Sequence, residues 1–250
     1  MNVRVQQRNN GKIFFGLCIL CLCVSATHAV SFEEANKLYY EGKFPEAASA
    51  YEQVKKSGVA SPALYFNLGN ALLKSGQPGR AIVAYRRVER LTPRDPDVRA
   101  NLQFARNQVQ GPTLKPASWQ VSLAKLTLNE WTLLACGSVW LWLLMAAAWQ
   151  WRSQWRRSLR GWLASWAIVS IILCACFGTV LYQNRFVQNA VVIAREAVVR
   201  HGPLDESQNA FIVHDGSEVR VLDQKDNWLL ITTDTRRTGW VRNDQVVLAP

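Results

Sequence analysis

The chain has 250 residues and a formal net charge of +11, with three histidines and six cysteines. That charge does not read as a nucleic-acid footprint, because seven of the basic residues, Arg4, Arg8, Lys12, Arg152, Arg156, Arg157 and Arg160, lie where they set membrane topology. Histidine is too scarce, and its sequence context too bare, for a general-base or metal-ligand arrangement.

Residues 1–29 have the pattern of a secretory signal peptide. Arg4, Arg8 and Lys12 precede an apolar run from Ile13 to Val24, and small residues follow, ending at Ala26 or Ala29. Cleavage after Ala29 leaves Ser31, a helix cap, almost at the new terminus. Cys18, Cys21 and Cys23 lie here, but none follows the small residue expected before a lipid-bearing cysteine.

Residues 30–110 repeat with a step of 34: Asn36 to Asn70, Leu38 to Leu72, Gly42 to Gly76, Ala47 to Ala81, Tyr51 to Tyr85, Pro62 to Pro96. This is the period of a tetratricopeptide repeat, a pair of helices that needs a neighbour to cover its apolar face. Two units, about 30–61 and 62–95, and a capping helix, 96–110, are expected. Ser31, Ser61 and Asp95 are the expected N-caps, the last two preceding a proline at the first helical position. Arg86, Arg87, Arg90 and Arg94 form a basic stretch, read either as a solvated face or as a surface for an acidic partner. By resemblance to the repeat family, Asn36, Asn67, Asn70 and Asn101 are the candidate partner-binding residues of the groove, with a purely structural role in the repeat as the alternative.

Residues 111–130 form a linker whose second half, Ala117 to Asn129, has a helical pattern suited to lying on a membrane surface. Two apolar segments, 131–149 and 162–182, approach the roughly 20 residues needed to cross a bilayer. The loop between them, 150–161, holds Arg152, Arg156, Arg157 and Arg160 without an acidic residue, which places it in the cytoplasm by the positive-inside rule. Both flanking regions then face outward, as the signal peptide also demands.

From 187 to 250 the pattern changes to short alternating strands with turn residues at Gly202-Pro203 and Asp215-Gly216. Trp228, Leu230, Trp240 and Val241 are placed to fill a core. Val199-Arg200-His201-Gly202-Pro203, the run from Asp215 to Leu222, Trp228, and Gly239-Trp240-Val241 resemble the pattern of a bacterial SH3 domain. The resemblance implies a small barrel whose Trp228 or Trp240 either packs internally or contacts a ligand. The expected fold is therefore multidomain: an all-α tetratricopeptide solenoid, a two-helix transmembrane hairpin and an all-β SH3-like barrel.

No Walker loop, HExxH helix, nucleophile elbow or paired CxxC is present. Once the signal is removed, Cys136, Cys174 and Cys176 remain, all in apolar helices. Cys174 and Cys176 would point to opposite sides of a helix. The reading is a non-enzyme with no cofactor and no metal. In the repeat family, basic groups beside the groove asparagines clamp a peptide carboxylate. Here Phe32 and Asp97 stand at those places, which argues against an acidic C-terminus as ligand.

The order of these segments resembles the BatE proteins of aerotolerance operons across nearly the whole chain. That resemblance implies an adaptor working with von Willebrand A membrane proteins and a MoxR-type ATPase in a bacterial envelope complex. It also implies a two-pass inner-membrane protein with both soluble parts in the periplasm. The competing expectation is a cell-wall tether that binds peptidoglycan through the SH3-like part.

Overall fold

The computed structural model describes residues 31–109, 111–114, 116–151, 154 and 156–249. The signal-peptide reading and Arg152 lie outside the described residues.

Five helices build the N-terminal array: α1 (Phe32–Tyr40), α2 (Phe44–Lys56), α3 (Pro62–Lys74), α4 (Pro78–Leu91) and α5 (Pro96–Asn107). The caps are those the sequence indicates. Ser31 Oγ accepts from the backbone of Glu34 at 3.1 Å, Ser61 Oγ from Leu64 at 3.1 Å, and Asp95 Oδ1 from Asp97 at 2.9 Å. Serine at such a cap satisfies one of the orphan N–H groups of the first turn. Replacing Ser61 by alanine should cost about 1 kcal/mol, read as a lower urea midpoint for the array with no change in helix content below the transition.

α1 and α3 end alike because Gly42 and Gly76 occupy the left-handed region, at φ 78° and 74°. Each lets the chain fold back on the helix: Gly42 N–H donates to the Tyr39 carbonyl and Lys43 N–H to that of Leu38, and the same pair recurs at Gly76 and Gln77. Between the helices, Tyr51, Leu64, Leu72, Ile82 and Tyr85 are fully buried. Gly69 is small for a packing reason, since a Cβ there would lie 2.6 Å from the Tyr85 ring.

A short helix, α6 (Ser118–Leu123), leads to α7 (Leu128–Trp151) and α8 (Arg156–Phe186), which pack side by side. Both are long and apolar enough to cross a membrane. They run past the apolar segments, so Arg156, Arg157 and Arg160 stand on the opening turns of α8 and not in a loop. Arginine is a good helix former, and no proline interrupts 150–161. Trp149 donates its indole N–H to the Arg156 carbonyl at 3.2 Å, and the Arg156 guanidinium lies over its ring at 5.5 Å. Further along the seam, the Ser138 carbonyl accepts from the Trp166 indole at 3.0 Å and from Ser170 Oγ at 3.2 Å. Trp131 ties α6 to α7 by donating to the Leu123 carbonyl at 3.0 Å.

The C-terminal part is one antiparallel sheet of β1 (Gln188–Val192), β2 (Glu196–Arg200), β3 (Asn209–His214), β4 (Glu218–Lys225), β5 (Trp228–Thr232), β6 (Thr238–Arg242) and β7 (Val246–Ala249). Its order is β3-β2-β6-β5-β4-β1-β7. It is not the closed barrel expected: among the described residues no pairing joins the end strands β3 and β7. The pairing of β2 with β3 shifts register between Val199 and Arg200, β2 meets β6 at the pair Arg200 and Trp240, and at the other end β1 and β7 pack against α4. The array thus covers an edge that would otherwise be bare.

In the core of the sheet Val241 stands as expected and Trp228 is buried, while Leu230 and Trp240 do not fill it. Leu229, Ile231 and Val241 belong to it, with Val199 and Val219. Leu230 and Trp240 are directly opposed to each other on the reverse face, because neighbours along a strand point to opposite sides.

Candidate functional site

Two arrangements of polar side chains stand out, one inside the array and one between the array and the sheet. The first is built by the repeat itself. Asn36 Oδ1 accepts from Tyr51 Oη at 2.6 Å and from Asn67 Nδ2 at 3.0 Å. One unit later, Asn70 Oδ1 accepts from Tyr85 Oη at 2.7 Å and from Asn101 Nδ2 at 3.3 Å. The four asparagines singled out in the sequence therefore come together as a ladder joining α1, α3 and α5. Burial pushes the Tyr51 phenol up to about 12, and it raises that of Tyr85 as well, so both hydroxyls remain donors at any physiological pH.

Three aromatic residues lie within one helical turn of ladder asparagines along the chain. Tyr40 is four residues from Asn36, Phe66 is four from Asn70 and Phe104 is three from Asn101, spacings that share a helix face. Tyr40 and Phe104 are 86% and 56% exposed, and Phe66 is half-buried. Tyr40 and Phe104 are the surface residues that pattern reading passed over. Their helical offset from the asparagines was the available signal.

The second arrangement answers the question posed by the basic stretch. Glu218, at the start of β4, is 1% exposed, and its carboxylate meets two arginines. Arg86 on α4 donates through Nη2 to Oε2, and Arg106 on α5 donates through Nε to Oε1 at 2.8 Å and through Nη2 to Oε2 at 3.4 Å. Such two-pronged guanidinium contacts are strong and geometrically selective. The Glu218 backbone N–H donates to the Pro112 carbonyl at 2.9 Å, which draws the linker into the same seam. Arg94 pairs with Glu130 on the first turn of α7, and Arg87 lies over the Tyr65 ring at 5.7 Å. Much of the basic stretch is thus engaged within the chain.

Burial alone would raise the Glu218 pKa, but the charges and hydrogen bonds of Arg86 and Arg106 outweigh it and hold the carboxyl below its ordinary 4.5. Asp215, on the turn before β4, is shifted up from 3.8 by burial. Glu89 also faces Arg86, at 3.9 Å. A lowered carboxyl stabilises the folded form above its unfolded pKa and loses that effect as pH falls through the folded value. A raised one acts in the opposite sense. Contact between array and sheet should therefore hold from neutrality to about pH 5 and weaken below 4.5, with Asp215 offsetting part of the loss. Urea midpoints measured against pH test this; a midpoint that does not move down to pH 3 would contradict it.

Trp228 is buried beside its cross-strand neighbours Lys225 and Arg242, and Trp240 is half-buried beside Leu230 and Arg200. Along their strands both alternate with the core residues Leu229, Ile231 and Val241. Arg156, Arg157 and Arg160 lie at the far end of the hairpin. Among the described residues no group of three or more His, Cys, Asp and Glu could hold a metal ion.

A family model described as tetratricopeptide repeat matches residues 32–96. The chain contains tetratricopeptide repeats. The match begins at α1 and ends as α5 opens, so the two repeat units α1–α2 and α3–α4 are those the 34-residue step marks. A search among curated proteins finds no match to the chain. Repeats of this kind present a protein-interaction scaffold, and here the asparagine ladder fixes the spacing of the helices that form it.

Proposed function

We propose that the protein is a non-enzymatic membrane adaptor whose repeats grip a protein partner while the α7–α8 hairpin holds it at a bilayer. The observation that carries this reading is the pairing of a repeat array with two long apolar helices, with the exposed rings of Tyr40 and Phe104 within a helical turn of ladder asparagines. Aromatic side chains on such a face supply contact area at low entropic cost. The groove asparagines have part of their hydrogen-bonding capacity committed to the ladder, so the rings carry more of the binding than the amides do.

The resemblance to the BatE proteins supports the finer version. In it, both soluble parts lie in the periplasm of a bacterial inner-membrane protein, the C-terminal sheet acts as an SH3-like module, and the partners are von Willebrand A membrane proteins and a MoxR-type ATPase. The direct contact between array and sheet across the hairpin supports placing them on one side.

In vivo crosslinking of the full-length tagged protein, followed by mass spectrometry, tests the proposal, with Tyr40→Glu/Phe104→Glu as the comparison. Both residues are exposed, so the substitutions leave the ladder intact. Co-purification of von Willebrand A proteins that the double variant loses is the expected result. Recovery of the same partners by both proteins would remove the repeat face from the proposal. A second reading rests on Trp240 and Arg200, adjacent on the outer face of the sheet: a cell-wall tether that binds peptidoglycan. Sedimentation of the full-length protein with purified sacculi, lost on Trp240→Ala, would favour that reading instead.

A further inference from the structure

Arg86 and Arg106 come from different helices, yet their guanidiniums converge on one carboxylate brought from 132 and 112 residues away along the chain. The convergence is a property of the array. α4 supplies Arg86 and α5 supplies Arg106, and the side chains of both are largely covered, at 17% and 19% exposure. The local charge calls for an anion. Arg86, Arg87 and Arg90 stand within two turns of α4, and Arg90 has its pKa lowered first by burial and then by the charges of Arg87 and Arg86. The carboxylates that answer this cluster are Glu218 and, more distantly, Glu89.

The array core runs across the seam to Val191 on β1 and Ala249 on β7, and the turn carrying Glu218 lies beside this apolar contact. Ser217 is fully buried, but its Oγ finds no hydrogen-bond partner. Buried polar groups in a finished core are paired. The backbones approach closely here: a Cβ on Gly79 would lie 2.1 Å from Asp215 Oδ1, and one on Gly216 would lie 2.4 Å from Val109. The turn from Asp215 to Glu218 therefore sits in a fitted recess of the array, with the Ser217 hydroxyl left unpaired. The desolvation of a buried ion pair of this type offsets much of its attraction, so its presence is weak evidence of net stability.

We propose that Arg86 and Arg106 form a carboxylate-binding site on the repeat array, occupied in this structure by the chain's own Glu218, and that this turn is a latch which an acidic segment of a protein partner can displace. The site is distinct from the exposed rings of Tyr40 and Phe104, and the inference does not depend on the membrane reading. When the latch is closed, array and sheet move as one unit. When it is open, the array offers two guanidiniums in a two-pronged arrangement to a carboxylate of another chain.

The test uses full-length protein in detergent micelles and, as the probe, a synthetic peptide with the sequence of residues 214–222. Its control carries glutamine at the position of Glu218. Glu218→Gln keeps the size of the side chain and removes its charge. The expected result is that Glu218→Gln binds the peptide at least tenfold more tightly than the unaltered protein does, with the control peptide inactive. Adding Arg86→Gln and Arg106→Gln should abolish that binding. Limited proteolysis of the linker around residues 111–117 should be several-fold faster in Glu218→Gln, with the helical content and β-sheet signal of the protein retained. Should Glu218→Gln fail to fold, Arg106→Lys keeps the charge, loses the two-pronged geometry, and should still speed cleavage. Equal peptide affinity in the two proteins, or binding that survives loss of both arginines, overturns the proposal.

Discussion

Glu218→Ala is expected to weaken the docking of the sheet on the array by about 3–5 kcal/mol, because it leaves two covered arginines without their counter-charge. The same chemistry sets a contrasting expectation. Replacing Arg86, Arg106 and Glu218 together by apolar side chains of similar volume should restore most of the docking or exceed it, since desolvation then has nothing to oppose. Equilibrium unfolding in urea, followed separately by far-ultraviolet signal and by tryptophan fluorescence, would show the single variant losing coincidence between the two probes. A loss below about 1 kcal/mol, the range of exposed ion pairs, would mean that water reaches the site and the pair behaves as a surface one.

Asn70→Ala is expected to destabilise the array by about 1–3 kcal/mol, and Asn101→Ala by less. The difference follows from what each leaves behind. Loss of Asn70 strands the hydroxyl of Tyr85, a fully buried side chain, and removes the acceptor that Asn101 uses. Loss of Asn101 removes one donor from an oxygen that keeps its bond to Tyr85. Tyr85→Phe in the Asn70→Ala background should recover part of the loss, because the buried hydroxyl is then gone. Thermal unfolding of the four proteins forms a double-mutant cycle. Additive effects with no recovery would show that the tyrosine finds another partner.

The array was legible from sequence because its determinants are local and recur. The caps at Ser31, Ser61 and Asp95, the left-handed glycines at 42 and 76, and the 34-residue step all act within a helix or between neighbours. The asparagines were found as a set, but their bonds to Tyr51 and Tyr85 were not. Periodicity reports that positions recur and does not say which atoms meet. The strands were legible as strands, while the choice of core residues at β5 and β6 was legible only in part. Val241 was expected inside and is there, and Trp228 is buried, whereas Leu230 and Trp240, favoured by size, are only half-buried and the pleat puts Leu229 and Ile231 inside in their place. Least legible was the partner of the basic stretch. Glu218 lies more than a hundred residues from Arg86 and Arg106, and no local pattern marks it.

The contact between array and sheet also bears on how the chain is made. Arg86 and Arg106 are synthesised before the α7–α8 segment and Glu218 after it, so the contact between them closes only once the chain beyond that segment has been made. If both helices cross a bilayer, the two halves meet only when each has been delivered to the same compartment. A chain threaded with one half on the wrong side keeps bare arginines and an uncovered apolar flank on α4. Closure would then act as a proofreading step for insertion, sorting correctly threaded molecules from those left open to proteases.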